Sequence, residues 1–248
     1  MLKNPTKDKL RELNLQGMTS ALEEQLDSTQ YDELTFEDRL GLLIDREIIH
    51  RENKRISLRL RQSKLSGKAT MADIQYSRAR GIDKSFMLRL ADCQWIKEST
   101  NILITGATGV GKSFIAEALA HQACLIGYRA LRVRLPRLFE DLSIAKGDGR
   151  LNKLMNHIRK VHVLVLDDYG LNVLSGQEQK FFLEILEDRY ECHSTVITAQ
   201  LPVDHWHEMI GNATFADAIL DRLVHNAYQL NLKGESMRKV KNKKKNIF

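Results

Sequence analysis

An eight-residue run, Gly106-Ala-Thr-Gly-Val-Gly-Lys-Ser113, constrains this chain more than any other feature. It fits the pattern GxxxxGK[ST], with an apolar segment, NILIT, running into it and a helical one, SFIAEALAHQA, leaving it. The glycines let the backbone turn its N–H groups inward around phosphate oxygens, where a side chain would obstruct the approach. The helix after the loop adds its positive N-terminal end. Gly106, Ala107, Thr108, Gly109, Val110 and Gly111 would form the cradle, Lys112 would neutralise the β- and γ-phosphates of ATP, and the Ser113 hydroxyl would bind Mg²⁺. A glycine-rich turn that merely joins strand to helix is the competing reading, and the strand-before, helix-after context weighs against it.

Such a loop needs a sheet, and the chain supplies one after Thr100. Short apolar segments at Asn101–Thr105, Arg129–Val133, Val161–Leu166 and Thr195–Ala199 read as strands, with Ala227–Leu232 a fifth. Helical stretches, including Lys112–Ile126 and Gln177–Tyr190, separate them, so an α/β fold with a parallel sheet covered on both faces is expected. The third strand, VHVLVL, ends in Asp167-Asp168, 55 residues after Lys112. In enzymes with this loop the first acid at such a strand tip holds the Mg²⁺ hydration shell, and the second orients or polarises the attacking water. An apolar strand with an Asp-rich turn after it is the plainer account of the same residues.

The first 70 residues have a different texture. Leu10, Leu13, Leu15, Met18, Leu22 and Leu26 follow a rough helical period, and Thr35, with Asp38 three residues on, caps a second helix carrying Leu40, Leu43, Ile44 and Ile48. Residues 1 to about 70 therefore read as a small helical domain, and 101–238 as the α/β domain. Residues 71–100 read as a connector whose Phe86, Leu90 and Trp95 dock on the α/β domain. The last eleven residues, RKVKNKKKNIF, hold six Lys or Arg and no acid, so 239–248 is expected to be a flexible basic tail. Cys93, Cys124 and Cys192 lie far apart without a CxxC pair, which disfavours a zinc site or disulfides and suits a reducing cytoplasm. Neither a secretory signal nor an apolar run of membrane-spanning length is present in the sequence.

The segments NILITGATGVGKS, VLVLDDYG, STVITAQLP, AILDRLVHNAY and GESMRK, in that order, resemble the IstB family of transposition helper ATPases, relatives of DnaC-type helicase loaders and the DnaA initiator. The N-terminal stretch also looks like that family's helical domain. The resemblance implies a AAA+ fold with ATP bound between neighbouring subunits of a homo-oligomer, and the few residues after Arg238 lead to the expectation of no C-terminal lid domain. Arg222, in AILDRL, matches the family's arginine finger, and Arg238, in GESMRK, its sensor-II-like position. Gln200, with Thr198 as a close second, matches the sensor-I polar residue. A planar, permanently charged guanidinium suits the charge that builds up on a transferred phosphoryl group. Asp168 stands where many such ATPases carry Glu, and Gln200 where many carry Asn.

A net charge of +6 favours an acidic partner. Seven Lys or Arg against one acid lie between His50 and Lys68, with Arg51, Lys54, Arg55 and Arg59 at helical spacings. Arg129, Arg132, Arg134 and Arg137 cluster around the second strand, and Lys146–Lys153 is a third basic stretch. Aromatics are only 6% of the chain, so contact with a duplex backbone is expected rather than stacking on single-stranded bases. The expected function is ATP-dependent assembly on double-stranded target DNA with recruitment or stimulation of a cognate transposase. A helicase loader and a non-hydrolysing DNA scaffold stay open, while a small-molecule kinase lacks an obvious acceptor pocket.

Overall fold

The computed structural model of this chain describes residues 5–237. It divides into two compact units, the first ending at Leu58 and the second beginning at Arg59. The first holds α1 (Pro5–Glu12), α2 (Gln16–Asp27) and most of α3 (Phe36–Gln62). The division falls inside α3, and residues 59–100 belong with the sheet rather than forming a separate connector.

In the first unit, Thr35 caps α3 as its position suggests: its hydroxyl accepts the Asp38 N–H at 3.2 Å and donates to the Asp38 carboxylate at 2.6 Å. α2 has no such residue at its start, since Leu15 precedes it. The buried Glu47 of α3 substitutes, accepting the N–H groups of Gly17 at 2.7 Å and Met18 at 3.2 Å. This crossing requires a glycine, because a Cβ at Gly17 would sit 2.6 Å from the Arg46 oxygen and the Glu47 Cα.

The second unit continues with α4 (Lys84–Ala91), α5 (Gln94–Lys97), β1 (Asn101–Gly106), α6 (Lys112–Ile126), β2 (Ala130–Arg134), α7 (Leu135–Gly147) and α8 (Leu151–Arg159). Then come β3 (Val163–Tyr169), α9 (Gly176–Arg189), β4 (Ser194–Ala199), α10 (Trp206–Ile210), α11 (Ala213–Val224) and β5 (Ala227–Leu232). All five strands are parallel, in the order β2-β3-β4-β1-β5. Alternate strand residues feed two cores. Ile102, Ile104, Val163, Val165 and Val196 pack with α4 and α6, while Leu103, Leu164, Leu166 and Ile197 face Phe182, Trp206 and Ile219 on the other side. Near-continuous apolar strands are what a sheet buried on both faces demands. Because every strand runs the same way, the tips of β1, β4, β3 and β2 lie side by side along one edge, where ligands of open α/β sheets bind.

Among the described residues no helix is long and apolar enough to cross a membrane, and no group of His, Cys, Asp or Glu could hold a metal ion by itself.

Candidate nucleotide-binding site

The tip of β1 opens directly into the glycine loop. Gly106, Gly109 and Gly111 adopt φ of 141°, 84° and 106°, values that a residue with a Cβ rarely takes. A Cβ at Gly106 would also run into the Leu232 carbonyl of β5, so the first glycine serves packing as well as conformation. Lys112, the first residue of α6, is buried and folds over the loop, its Nζ donating to the carbonyl oxygens of Gly106 at 2.7 Å and Ala107 at 2.9 Å. Burial lowers its pKa, and the neighbouring Asp168 and Asp167 carboxylates partly offset that.

The tips of β3 and β4 meet this loop. Ser113 donates its hydroxyl proton to Asp167 Oδ1 at 2.7 Å, and buried Thr198 donates to the same oxygen at 2.5 Å. Burial pushes the Asp167 carboxyl up, but the Thr198 and Ser113 hydroxyls and the Arg132 guanidinium outweigh it, leaving its pKa below the usual carboxylate range. The Thr198 oxygen also accepts the Asp168 N–H at 3.1 Å. One threonine thus latches both acids from the neighbouring strand. Asp168 has φ of 64°, and the β3–β4 register shifts between Leu166 and Tyr169. Such a bulge re-aims the side chain at a strand end. Of the two residues matched to sensor I, Gln200 is exposed and lines the cavity, whereas Thr198 is fully buried.

A cavity of about 570 Å³ lies against the loop, within the usual range for small-molecule sites. Its wall includes Thr108 to Ile115, Asp168 and Gln200, and also Ile74, Gln75, Arg80 and Ile82 from the stretch read as a connector. Arg80 donates through Nη2 to the Val110 carbonyl at 2.6 Å, while its Nε is buried without a partner among the described residues. Its own carbonyl accepts the Lys233 N–H just past β5, which fixes the segment over the loop. No pattern in the sequence marks Arg80; its placement depends on β5. The Met237 N–H donates to the Gly109 carbonyl at 2.8 Å, bringing the GESM segment against the loop. Arg238, expected to continue that segment into the site, lies outside the described residues, as does the basic tail.

These residues fit a nucleoside triphosphate with Mg²⁺. The loop carries its three glycines in the conformations a phosphate cradle uses, and a hydroxyl–carboxylate pair, Ser113 and Asp167, stands beside a buried lysine.

Arg222 lies elsewhere. Its carbonyl accepts from Asn101 Nδ2 at 3.1 Å, at the start of β1, whereas the loop begins at the end of that strand. At ~3.3 Å per residue, β1 separates them by about 17 Å, further than an arginine side chain extends. The guanidinium pairs with Glu187 at 2.9 Å and donates to the Ala218 carbonyl at 2.8 Å.

The residues expected to touch DNA divide into engaged and exposed ones. Leu131 and Val133 face one core, so alternation turns Arg132 and Arg134 towards the α6 side. Arg132 is half-buried and held in ion pairs with Asp167 and Glu117, and Arg134 pairs with Asp168 at 2.8 Å, although its side chain is 61% exposed. Arg132 is thus engaged by two acids rather than free at the surface. Arg59 is half-buried with its Nε on the Cys124 carbonyl at 2.8 Å, and Arg51 is engaged by Glu47 at 2.7 Å. Lys54, Arg55 and Arg137 remain exposed, with no ion pair among the described residues.

Comparison with known proteins agrees with this geometry. The family model for IstB-like ATP binding protein matches residues 8–246. An insertion sequence ATP-binding protein of Sinorhizobium fredii is 46% identical over 244 residues, spanning 98% of this chain and 100% of the relative. The IS21 ATP-binding protein of Pseudomonas aeruginosa is 32% identical over 236 residues, spanning 95% of this chain and 89% of the relative. Among solved structures, DnaI superposes with a TM-score of 0.59 at 24% identity, covering 67% of this chain and 92% of that one. AMPPCP-bound DnaA from Aquifex aeolicus gives 0.57 at 18% identity, covering 74% of this chain and 56% of that one. At those identities the likeness is one of fold, and the fold is that of AAA+ P-loop domains.

Proposed function

We propose, because this chain belongs to the IstB-like ATP binding protein family, that it is a Mg²⁺-dependent ATPase that oligomerises on duplex DNA and delivers that DNA to a cognate transposase. The observation carrying the ATPase reading is the convergence of Lys112, Ser113, Asp167, Asp168 and Thr198 at the tips of three adjacent strands. Bound MgATP would supply a phosphoryl group for transfer to water. Lys112 would exchange its loop carbonyls for phosphate oxygens, and Ser113 with Asp167 would hold the metal and its hydration shell. Asp168 would orient the attacking water, with Gln200 lining the same cavity. Arg222, a strand length from its own loop, serves the pocket of a neighbouring subunit.

Arg80 adds a contact to the nucleotide in its own subunit. Arg80→Ala is expected to weaken binding of a fluorescent ATP analogue by about ten-fold, the scale of one charge-assisted hydrogen bond. Unchanged affinity would remove Arg80 from the pocket's function.

Lys54, Arg55 and Arg137 are the phosphate contacts this reading retains, so affinity for duplex should fall with salt at roughly −0.9 per phosphate neutralised. Equilibrium binding across a salt series, with ATP and with ADP, tests this. ATP should strengthen binding, and replacing the three residues with Ala should weaken binding to all sequences alike and flatten the slope by about one per residue. Deleting residues 239–248 is the control. If that deletion abolishes binding while the triple variant keeps its affinity and slope, none of the DNA contacts assigned to these residues exists.

A further inference from the structure

We infer that Arg132 and Glu117 form a positioning pair for the Asp167 carboxylate, fixing which oxygen faces Ser113 and tying the metal side of the pocket to Ser66; this rests on the nucleotide-site reading above. Arg132 bridges two buried acids, with Nη2 on Asp167 Oδ2 at 2.5 Å and Nη1 on Glu117 Oε1 at 3.1 Å. The other Glu117 oxygen accepts the Ser66 N–H at 3.2 Å and the Ser66 hydroxyl. The Arg132 N–H closes the circuit by donating to the Ser63 carbonyl at 2.8 Å.

A carboxylate serving only to attract Mg²⁺ gains nothing from a guanidinium one hydrogen bond away, because the cation weakens its field. The gain is geometric. With Oδ2 taken by Arg132, Oδ1 is left to the hydroxyls of Ser113 and Thr198, so the carboxylate cannot rotate freely. Ser113 gives its proton to Oδ1 and keeps its lone pairs for a cation. Glu117 holds the guanidinium in place and returns the group to one net negative charge, from Asp167, Arg132 and Glu117 at −1, +1 and −1. A planar fork spans two acids at once, and an ammonium does so poorly.

The test is a Mg²⁺ titration of fluorescent ATP-analogue binding to the full chain, alongside binding in EDTA. Partners that orient a metal ligand typically carry 10–100-fold in metal affinity, so Arg132→Met should raise the half-saturating Mg²⁺ by about that factor, and the charge-conserving double variant Arg132→Met/Glu117→Gln should do so with metal-free nucleotide binding unchanged. Arg132→Lys should fall between. Arg132→Met alone strands the Glu117 charge and risks misfolding. The double variant Arg132→Met/Glu117→Gln removes the stranded Glu117 charge, leaves Asp167 with the Ser113 and Thr198 hydroxyls and keeps the net charge of the group at −1, and should show the same Mg²⁺ shift. A folded double variant with wild-type Mg²⁺ dependence overturns the inference, as does loss of metal-free binding in step with falling thermal stability. Wild-type protein whose nucleotide binding ignores Mg²⁺ overturns the proposed function with it, which separates the two failures.

Discussion

Lys112→Ala is expected to leave a folded protein whose Mg²⁺-dependent ATP turnover has dropped by at least about 10²–10³-fold, the scale of removing one preorganised donor from a developing oxyanion. Lys112 makes its two hydrogen bonds to loop carbonyls and none to another strand, so its removal should cost the fold little. What it removes is a partly buried positive charge at the head of α6, already aimed into the loop and flanked by the two acids of β3. Phosphate release at saturating MgATP is the measurement, with far-UV circular dichroism to show that the variant is folded. Hydrolysis at the wild-type rate would falsify the assignment of the loop.

Arg222→Ala should cost on the order of 10³–10⁵ in rate, as loss of an arginine finger does in other P-loop systems, while nucleotide affinity in the variant's own pocket stays intact. The second half of that expectation comes from the placement of Arg222 beside Asn101, a strand length from Lys112. Asp168→Asn should have the complementary defect, with Arg222 intact and a pocket expected not to orient water. Mixing the two proteins should restore turnover, since some interfaces then pair a good finger with a good acid. If mixed oligomers form and no ratio recovers activity, Arg222 does not act on its neighbour. Glu187 offers a second handle: it holds the guanidinium at 2.9 Å, and on the proposed trans role docking of a subunit would exchange that carboxylate for phosphate oxygens.

The glycine loop, the strand that feeds it and the helix that leaves it were legible because each is written in a continuous stretch, and α6 spans Lys112–Ile126 as the apolar run suggests. The five strands read for the same reason, their bounds moving by only a few residues: the third begins at Val163 and runs on to Tyr169. Asp167 was legible as a strand-tip acid. That Thr198 sits on it was not, because the two residues are 31 apart in the chain and meet only through the insertion of β4 between β1 and β3.

The arginines divide along the same line. Charge density along the chain marks Arg132 as a surface residue, whereas side-chain alternation in a strand whose Leu131 and Val133 face one core turns it towards α6 and the acids beneath. The signal was present as a period of two, but it names a face only once the sheet is known to be covered on that side. Arg80 had no local signal at all, since its place over the loop depends on the residues just past β5. The sequence by itself determined the glycine-loop pattern and which segments are strands, because loop conformation and apolar periodicity act over short stretches of chain. The tertiary structure alone decided which charges point inward, because sheet order and helix coverage bring together residues that no stretch of sequence holds side by side.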